Sequence, residues 1–153
     1  MKKFRFEYES ILKMRQAKED DVKNELARLL DKLRTVKLEK EKMLKDQQSF
    51  FETMEDMMKH GCSASELRRI QRGQSYYRTH LKTLDEKILN LEKHVLETKQ
   101  LLLEAVKAKK IMEKLKENAY SAFINDVNHE EQKVIEEIVN YKNNKVSGGE
   151  NGR

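Results

Sequence analysis

His60-Gly61-Cys62-Ser63-Ala64-Ser65-Glu66-Leu67 is the stretch that decides the fold. A glycine just past the end of a helix takes the left-handed conformation that a Cβ penalises, and Gly61 stands at such a place. Ser63 followed three residues later by Glu66, directly ahead of Leu67 and Ile70, is a capping box. One helix therefore ends near residue 60 and a second begins near residue 64.

Outward from this boundary, both sides carry apolar residues at alternating steps of three and four. On the N-terminal side the seam reads Val22, Leu26, Leu29, Leu33, Val36, Lys40, Met43, Gln47, Phe50, Met54, Met57. On the C-terminal side it reads Leu67, Ile70, Gln74, Tyr77, Leu81, Leu84, Ile88, Leu91, Val95, Thr98, Leu102, Ala105, Lys109, Met112. A repeat sustained over about five heptads is the pattern of a coiled coil. Phe4 and Ile11 fall out of phase with the first seam, and the step from Ile11 to Val22 predicts a local hendecad. Past Leu115 the phase is expected to shift again, with Phe123, Val127, Val134, Ile138 and Tyr141 continuing the stripe.

Composition agrees. Of the 153 residues, 39% are charged and 37% hydrophobic, with no Pro, no Trp and five Gly. That apolar content is too low for a thick core, yet the chain lacks the Pro, Ser and Gly excess of disorder. An α/β or all-β catalytic domain is excluded. The sequence predicts an all-α chain, a long two-helix antiparallel coiled-coil hairpin with the second helix overhanging. It forms a single coiled-coil domain over 1–153, with helix 1 at about 4–60, the turn at about 61–63, helix 2 at about 64–143 and a frayed tail at 144–153.

With the turn at 61–62, Phe4 falls opposite Ala119, and helix 2 outruns helix 1 by about 20–25 residues, or about 30–35 Å beyond a hairpin of about 85 Å. The overhang still carries apolar residues, so it needs a cover. A homodimer is one answer and a different protein is the other.

The net charge of +5 comes from 32 basic and 27 acidic residues that are interspersed, so most neutralise neighbours on helix surfaces. Cys62 is alone, which excludes an intramolecular disulfide. No stretch has the roughly 20 apolar residues of a membrane span. A soluble, cytoplasmic protein is expected. His60 and Cys62 cannot make a four-ligand zinc site without a second cysteine, and His80, His94 and His129 are scattered. With no phosphate-cradling loop and no nucleophile–base set, no catalytic, cofactor-binding or metal-binding residue is expected, and the protein is not an enzyme. The run Arg68-Arg69-Ile70-Gln71-Arg72 before Tyr76, Tyr77 and Arg78 carries the elements of nucleic-acid binding. Because Ile70 and Tyr77 are seam residues, it reads instead as a solvated face, and no nucleic-acid partner is expected.

Aromatics gather near the turn: Phe50 and Phe51 on helix 1, Tyr76 and Tyr77 on helix 2. Adjacent helical residues diverge by about 100°, so one ring of each pair can enter the seam while the other points outward, either as a partner anchor or lying over its own helices. Gly73, one turn before Tyr76, permits a close approach or a bend, or is incidental. Met54 and Met57 are seam residues first.

Two segments of the second helix carry a resemblance. They are Lys110-Ile111-Met112-Glu113-Lys114-Leu115 and Glu131-Gln132-Lys133-Val134-Ile135-Glu136-Glu137. Together with the opening Phe4-Arg5-Phe6, the chain length and the turn position, they make nearly the whole chain resemble the FliJ family of bacterial flagellar type III export proteins. The resemblance implies a non-enzymatic stalk, similar in form to the central subunit of rotary ATPases. Such a stalk promotes ring assembly and activity of a hexameric export ATPase and links it to the membrane export gate. The implied partners are that ATPase and its regulator, the cytoplasmic domain of the gate protein, and export chaperones that the stalk would escort. The implied place is cytoplasmic, peripheral to the inner face of the cell membrane at the flagellar base, without insertion. Carried onto this chain, the ATPase-facing end comprises the termini, with Phe123, Gln132, Lys133 and Glu137. The gate-facing surface lies near the turn, at Phe50, Phe51, Tyr76, Tyr77 and Leu81. The alternative is a structural homodimeric coiled-coil adaptor unrelated to export.

Overall fold

A computed structural model describes residues 2–149. Two helices account for nearly all of them, α1 over Glu9–His60 and α2 over Ala64–Gly149. No strand occurs among the described residues. The two helices pack against each other as the all-α hairpin read from the sequence.

The turn is built as its residues dictate. Gly61 has φ 80°, and its N–H donates back to the Met58 carbonyl at 3.4 Å. The Ser63 N–H donates to Glu66 Oε2 at 3.1 Å while the Glu66 N–H donates to Ser63 Oγ at 3.3 Å, closing the capping box in both directions. The Leu67 N–H then donates to the Ser63 carbonyl at 3.0 Å, starting α2.

The chain divides into two compact units, Lys18–Ala105 around the turn, and Met1–Ala17 with Val106–Arg153 around the termini. In the turn-side unit the helices run antiparallel: Lys37 pairs with Glu92 at 3.6 Å, Lys40 with Asp85 at 2.6 Å, and Phe50 meets Gly73. Val22, Ile70, Leu84, Val95 and Ala105 are buried, with Leu84 the most enclosed at 1% exposure. The seam residue Thr98 is buried as well, Leu67 is exposed, and the other seam positions of this unit are half-buried, as expected of a two-helix seam open to water along both sides.

Gly73 is explained here. A Cβ on it would overlap Phe50 Cζ and stand 2.6 Å from Cε2, so the missing side chain is the socket for the Phe50 ring. The glycine serves close approach.

Of two phase changes expected from the sequence, the first does not occur and the second comes later than Leu115. Along α1 the covered positions ahead of Val22 are Glu19, Arg15 and Leu12, which keep steps of three and four, while Ile11 is 37% exposed. There is no hendecad; the heptad persists through two charged residues. Glu19 is 3% exposed and paired with Lys23 at 2.7 Å, and Arg15 Nη1 donates to the Ala108 carbonyl at 2.8 Å. Along α2, the covered positions Met112, Lys116, Ala119 and Phe123 also hold the phase past Leu115, which is itself 47% exposed. The phase shifts only at Val127, where a second step of four takes the place of a step of three.

The helix limits differ from expectation at both termini. α1 starts at Glu9 rather than near residue 4, because the preceding residues do not coil. Burial alternates there: Phe4 half-buried, Arg5 exposed, Phe6 at 8%, Glu7 exposed. That period of two belongs to extended backbone. The reach agrees. Between the Glu9–Lys116 pair at 2.8 Å and the Lys2–Glu130 pair at 2.9 Å, seven residues of the N-terminal segment run beside fourteen of α2. Fourteen helical residues rise about 21 Å, about twice the span of seven helical residues. The non-helical residues 2–6 and the long Lys2 side chain make up the difference, ahead of a turn at Glu7 and Tyr8 where the Glu9 N–H donates to the Phe6 carbonyl at 3.3 Å. At the other terminus α2 continues through the Asn-bearing stretch to Gly149, where Ser147 Oγ donates to the Asn143 carbonyl at 3.1 Å. The remainder of the tail expected to fray, 150–153, lies outside the described residues.

Candidate partner-docking surfaces

In the terminal unit, residues 2–6 form a strap across α2. The Phe4 ring meets Tyr120 edge-on at 5.2 Å and 79°, and Phe123 at 5.5 Å and 51°. Phe6 tucks beneath Tyr8 at 5.9 Å. The strap therefore covers α2 as far as Glu130, about ten residues beyond the point that a helical N-terminus would reach. Past Val127 every described residue of α2 is exposed, including Val134 at 54%, Ile135 at 60%, Ile138 at 51% and Tyr141 at 65%. The overhang is real, and it begins later than the sequence suggests.

Where strap and uncovered helix meet there is a groove lined by Lys2, Phe123, Val127, Glu130, Glu131, Val134 and Ile135. Of the residues expected to face an ATPase, Phe123 is half-buried at the inner edge of this groove, against Phe4. Gln132, Lys133 and Glu137 are exposed beyond it; Gln132 Nε2 donates to Glu136 Oε1 at 3.3 Å. The structure thus brings Phe123 together with the strap; Lys133 lines a second groove with Lys2 and Phe123, while Gln132 and Glu137 lie farther along the exposed helix.

The Lys2 ammonium, through the hydrogen bond it donates and then its charge, holds the Glu130 carboxyl below its ordinary value. The same bond, followed by the carboxylate's charge, raises Lys2. A lowered carboxyl supports the strap above its ordinary value and loses that support as acid takes the pH down through the depressed one. A raised lysine supports it below its ordinary value and loses that support as alkali carries the pH up through the elevated one. Both groups are largely exposed, so the effect is local. Amide exchange at Lys3, Phe4 and Arg5 is expected to stay constant through neutral pH after correction for intrinsic rates. It is expected to quicken in acid below the carboxyl range. Constant protection into strong acid would show that Phe4 alone holds the strap.

In the turn-side unit, Phe50 enters the seam against Gly73 and packs on Tyr77 at 5.4 Å. Tyr76 points outward, 57% exposed, and stacks on His80 at 5.7 Å and 15°. Phe51 and Leu81 are half-buried and share a groove with Gln47, Gln74, Arg78, Lys82 and Asp85. The five residues expected to face the gate therefore gather near the turn, Phe50, Tyr77 and Leu81 at seam positions and Phe51 and Tyr76 beside them. Arg68, Arg69 and Arg72 are exposed on the same helix.

One surface escapes a reading made on the seam. Leu89, Leu96 and Leu103 are 68%, 69% and 54% exposed and repeat every seventh residue on the outer side of α2. Their mutual spacing was the available signal, masked by the stronger seam beside it.

No group of three or more His, Cys, Asp or Glu among the described residues is placed to hold a metal ion, and His60 Nδ1 lies 2.8 Å from the Asp56 carbonyl. No helix among them is long and apolar enough to cross a membrane. The sequence matches the family described as flagellar FliJ protein over residues 4–145. The chain belongs to the FliJ family. FliJ proteins are non-catalytic components of flagellar export, so the chain is a flagellar export protein. No curated protein and no solved structure matches it. The matched span covers both the strap from Phe4 and the uncovered part of α2 as far as Lys145. The alternative of an adaptor unrelated to export is thereby set aside.

Proposed function

We propose that this FliJ-family chain acts as a stalk that promotes assembly and turnover of the hexameric flagellar export ATPase and links it to the membrane export gate. The observation that carries the reading is the exposed apolar stripe of α2 beyond Val127. A single helix with Val134, Ile135, Ile138 and Tyr141 in water gains by insertion into a cavity lined by another protein. Phe123, Gln132, Lys133 and Glu137 would face the ATPase. Phe51, Tyr76 and Leu81 would face the gate, with Phe50 and Tyr77 holding them in place from the seam. This assigns the chain to the cytoplasmic side of the membrane at the flagellar base, with the ATPase regulator and export chaperones as further partners.

The test is the hydrolysis rate and oligomeric state of the cognate export ATPase with and without the full chain. A several-fold faster rate together with a shift toward hexamer is expected. An ATPase whose rate and assembly do not respond would sink the stalk reading.

A further inference from the structure

The stretch of α2 that straddles the end of the strap has a charge of its own. From Asp126 to Glu137 it carries five carboxylates, Asp126, Glu130, Glu131, Glu136 and Glu137, against the single lysine Lys133, although the whole chain is at +5. Asp126, Glu130 and Glu131 line the grooves on either side of Val127. The strap that covers the start of this face has the opposite character. Residues 2–6 hold three cations, Lys2, Lys3 and Arg5, two phenylalanines and no acid. Its contacts use both properties: Phe4 packs on Tyr120 and Phe123, and Lys2 pairs with Glu130 at 2.9 Å. The chain thus displays, on its own surface, the kind of segment that this face accepts.

We infer that the face from Asp126 to Val139 docks a basic, aromatic-rich segment of the partner protein, and that this segment competes with the N-terminal strap for the stretch around Phe123 and Glu130. This rests on the reading of that face as a partner surface and specifies the partner's chemistry. A second copy of the chain is the wrong occupant, since like faces in register set five carboxylates against five. An anionic surface is repelled for the same reason. The strap then acts as a displaceable cover, shielding the inner part of the stripe from water until a better basic segment arrives.

The test uses the full chain and a fluorescein-labelled synthetic peptide with the sequence of residues 1–8, read by fluorescence anisotropy. A counterpart peptide with glutamate at the three basic positions runs beside it. The basic peptide is expected to bind, more weakly as salt rises, and the acidic one to fail. Two variants loosen the strap from different sides. Phe4→Ala removes its ring and Lys2→Glu breaks its exposed ion pair without touching the seam, and each is expected to tighten the basic peptide about fivefold, or about half a decade in Kd. Glu131→Lys with Glu136→Lys, both at exposed positions, is expected to weaken it about tenfold or more. Equal binding of both peptides, or no response to either strap variant, would overturn the inference. So would a sedimenting dimer that the two charge reversals dissolve. ATPase stimulation by the unaltered chain keeps the two readings apart. Stimulation without charge-selective peptide binding defeats this inference and spares the stalk; selective binding without stimulation does the reverse.

Discussion

Gly73→Ala lowers the stability of the hairpin by about 1–2 kcal/mol, although the same exchange at an open helix position raises it by about 1 kcal/mol. The sign turns on Phe50. A Cβ at residue 73 would stand 2.6 Å from Phe50 Cε2 and overlap Cζ, so the ring must leave its socket or the helices must part. Phe50 has little room to yield, with Tyr77 at 5.4 Å and Phe51 at 6.1 Å. Overpacking of this kind costs about 1–3 kcal/mol and outweighs the gain in helix propensity. Removing the ring reverses the balance. In a Phe50→Ala background, itself destabilised by about 2–3 kcal/mol because the ring is only half-buried, Gly73→Ala is expected to stabilise by about 1 kcal/mol. Urea unfolding followed by helix circular dichroism on the four chains of the cycle gives the answer. A stabilised Gly73→Ala single variant would mean that the ring is not seated against residue 73.

The same socket marks what a sequence can and cannot disclose. Gly61, Ser63 and Glu66 act on their immediate neighbours, so their chemistry is legible from order alone, and the turn follows from it. The seam is legible for a related reason, because a step of three or four places side chains on one side of a helix whatever they pack against. Gly73 is different: the glycine is visible, but the reason for it is a ring 23 positions earlier in the chain, which only the antiparallel register brings near. The hendecad expected at Ile11 arises from reading Arg15 and Glu19 as breaks. Both are covered, one by reaching the Ala108 carbonyl and the other beside Lys23, so polar side chains kept the heptad where hydrophobicity lost it.

The strap was legible in principle. Phe4-Arg5-Phe6 alternates with a period of two, the mark of extended backbone, yet three residues are too few to outweigh the long helical pattern that follows. Its consequence for the candidate site is large. A helical N-terminus would have left Phe123 and Val127 bare, whereas an extended one covers twice as much of α2 per residue and moves the start of the free face outward to about residue 131. Which side chains occupy that free face was legible all along, since they follow α2 periodicity. Where it starts was not, because that depends on the backbone conformation of a different segment.

Two truncations of α2 separate the structural part of the terminal unit from its proposed working part. A chain ending at Leu115 loses Tyr120, Phe123 and Glu130, which are every partner that Phe4 and Lys2 have in ring or ion-pair contact among the described residues. Its N-terminal segment is left without a surface, and stability is expected to fall by about 2–3 kcal/mol through the lost burial of Phe4 and part of Phe6. A chain ending at Glu131 keeps all three partners and removes only residues exposed along their whole length, so its stability is expected to change by less than about 0.5 kcal/mol. Stimulation of the export ATPase, in contrast, is expected to be lost with both, because Gln132, Lys133, Glu137 and the stripe from Val134 to Tyr141 are absent from each. The informative chain is the longer one. Folded as well as the full chain and yet silent toward the ATPase, it would locate the working face beyond the strap, with stability excluded as the cause. Full stimulation by that chain would move the contact inward, to Phe123 and the strap itself, and remove Gln132, Lys133 and Glu137 from the proposed interface.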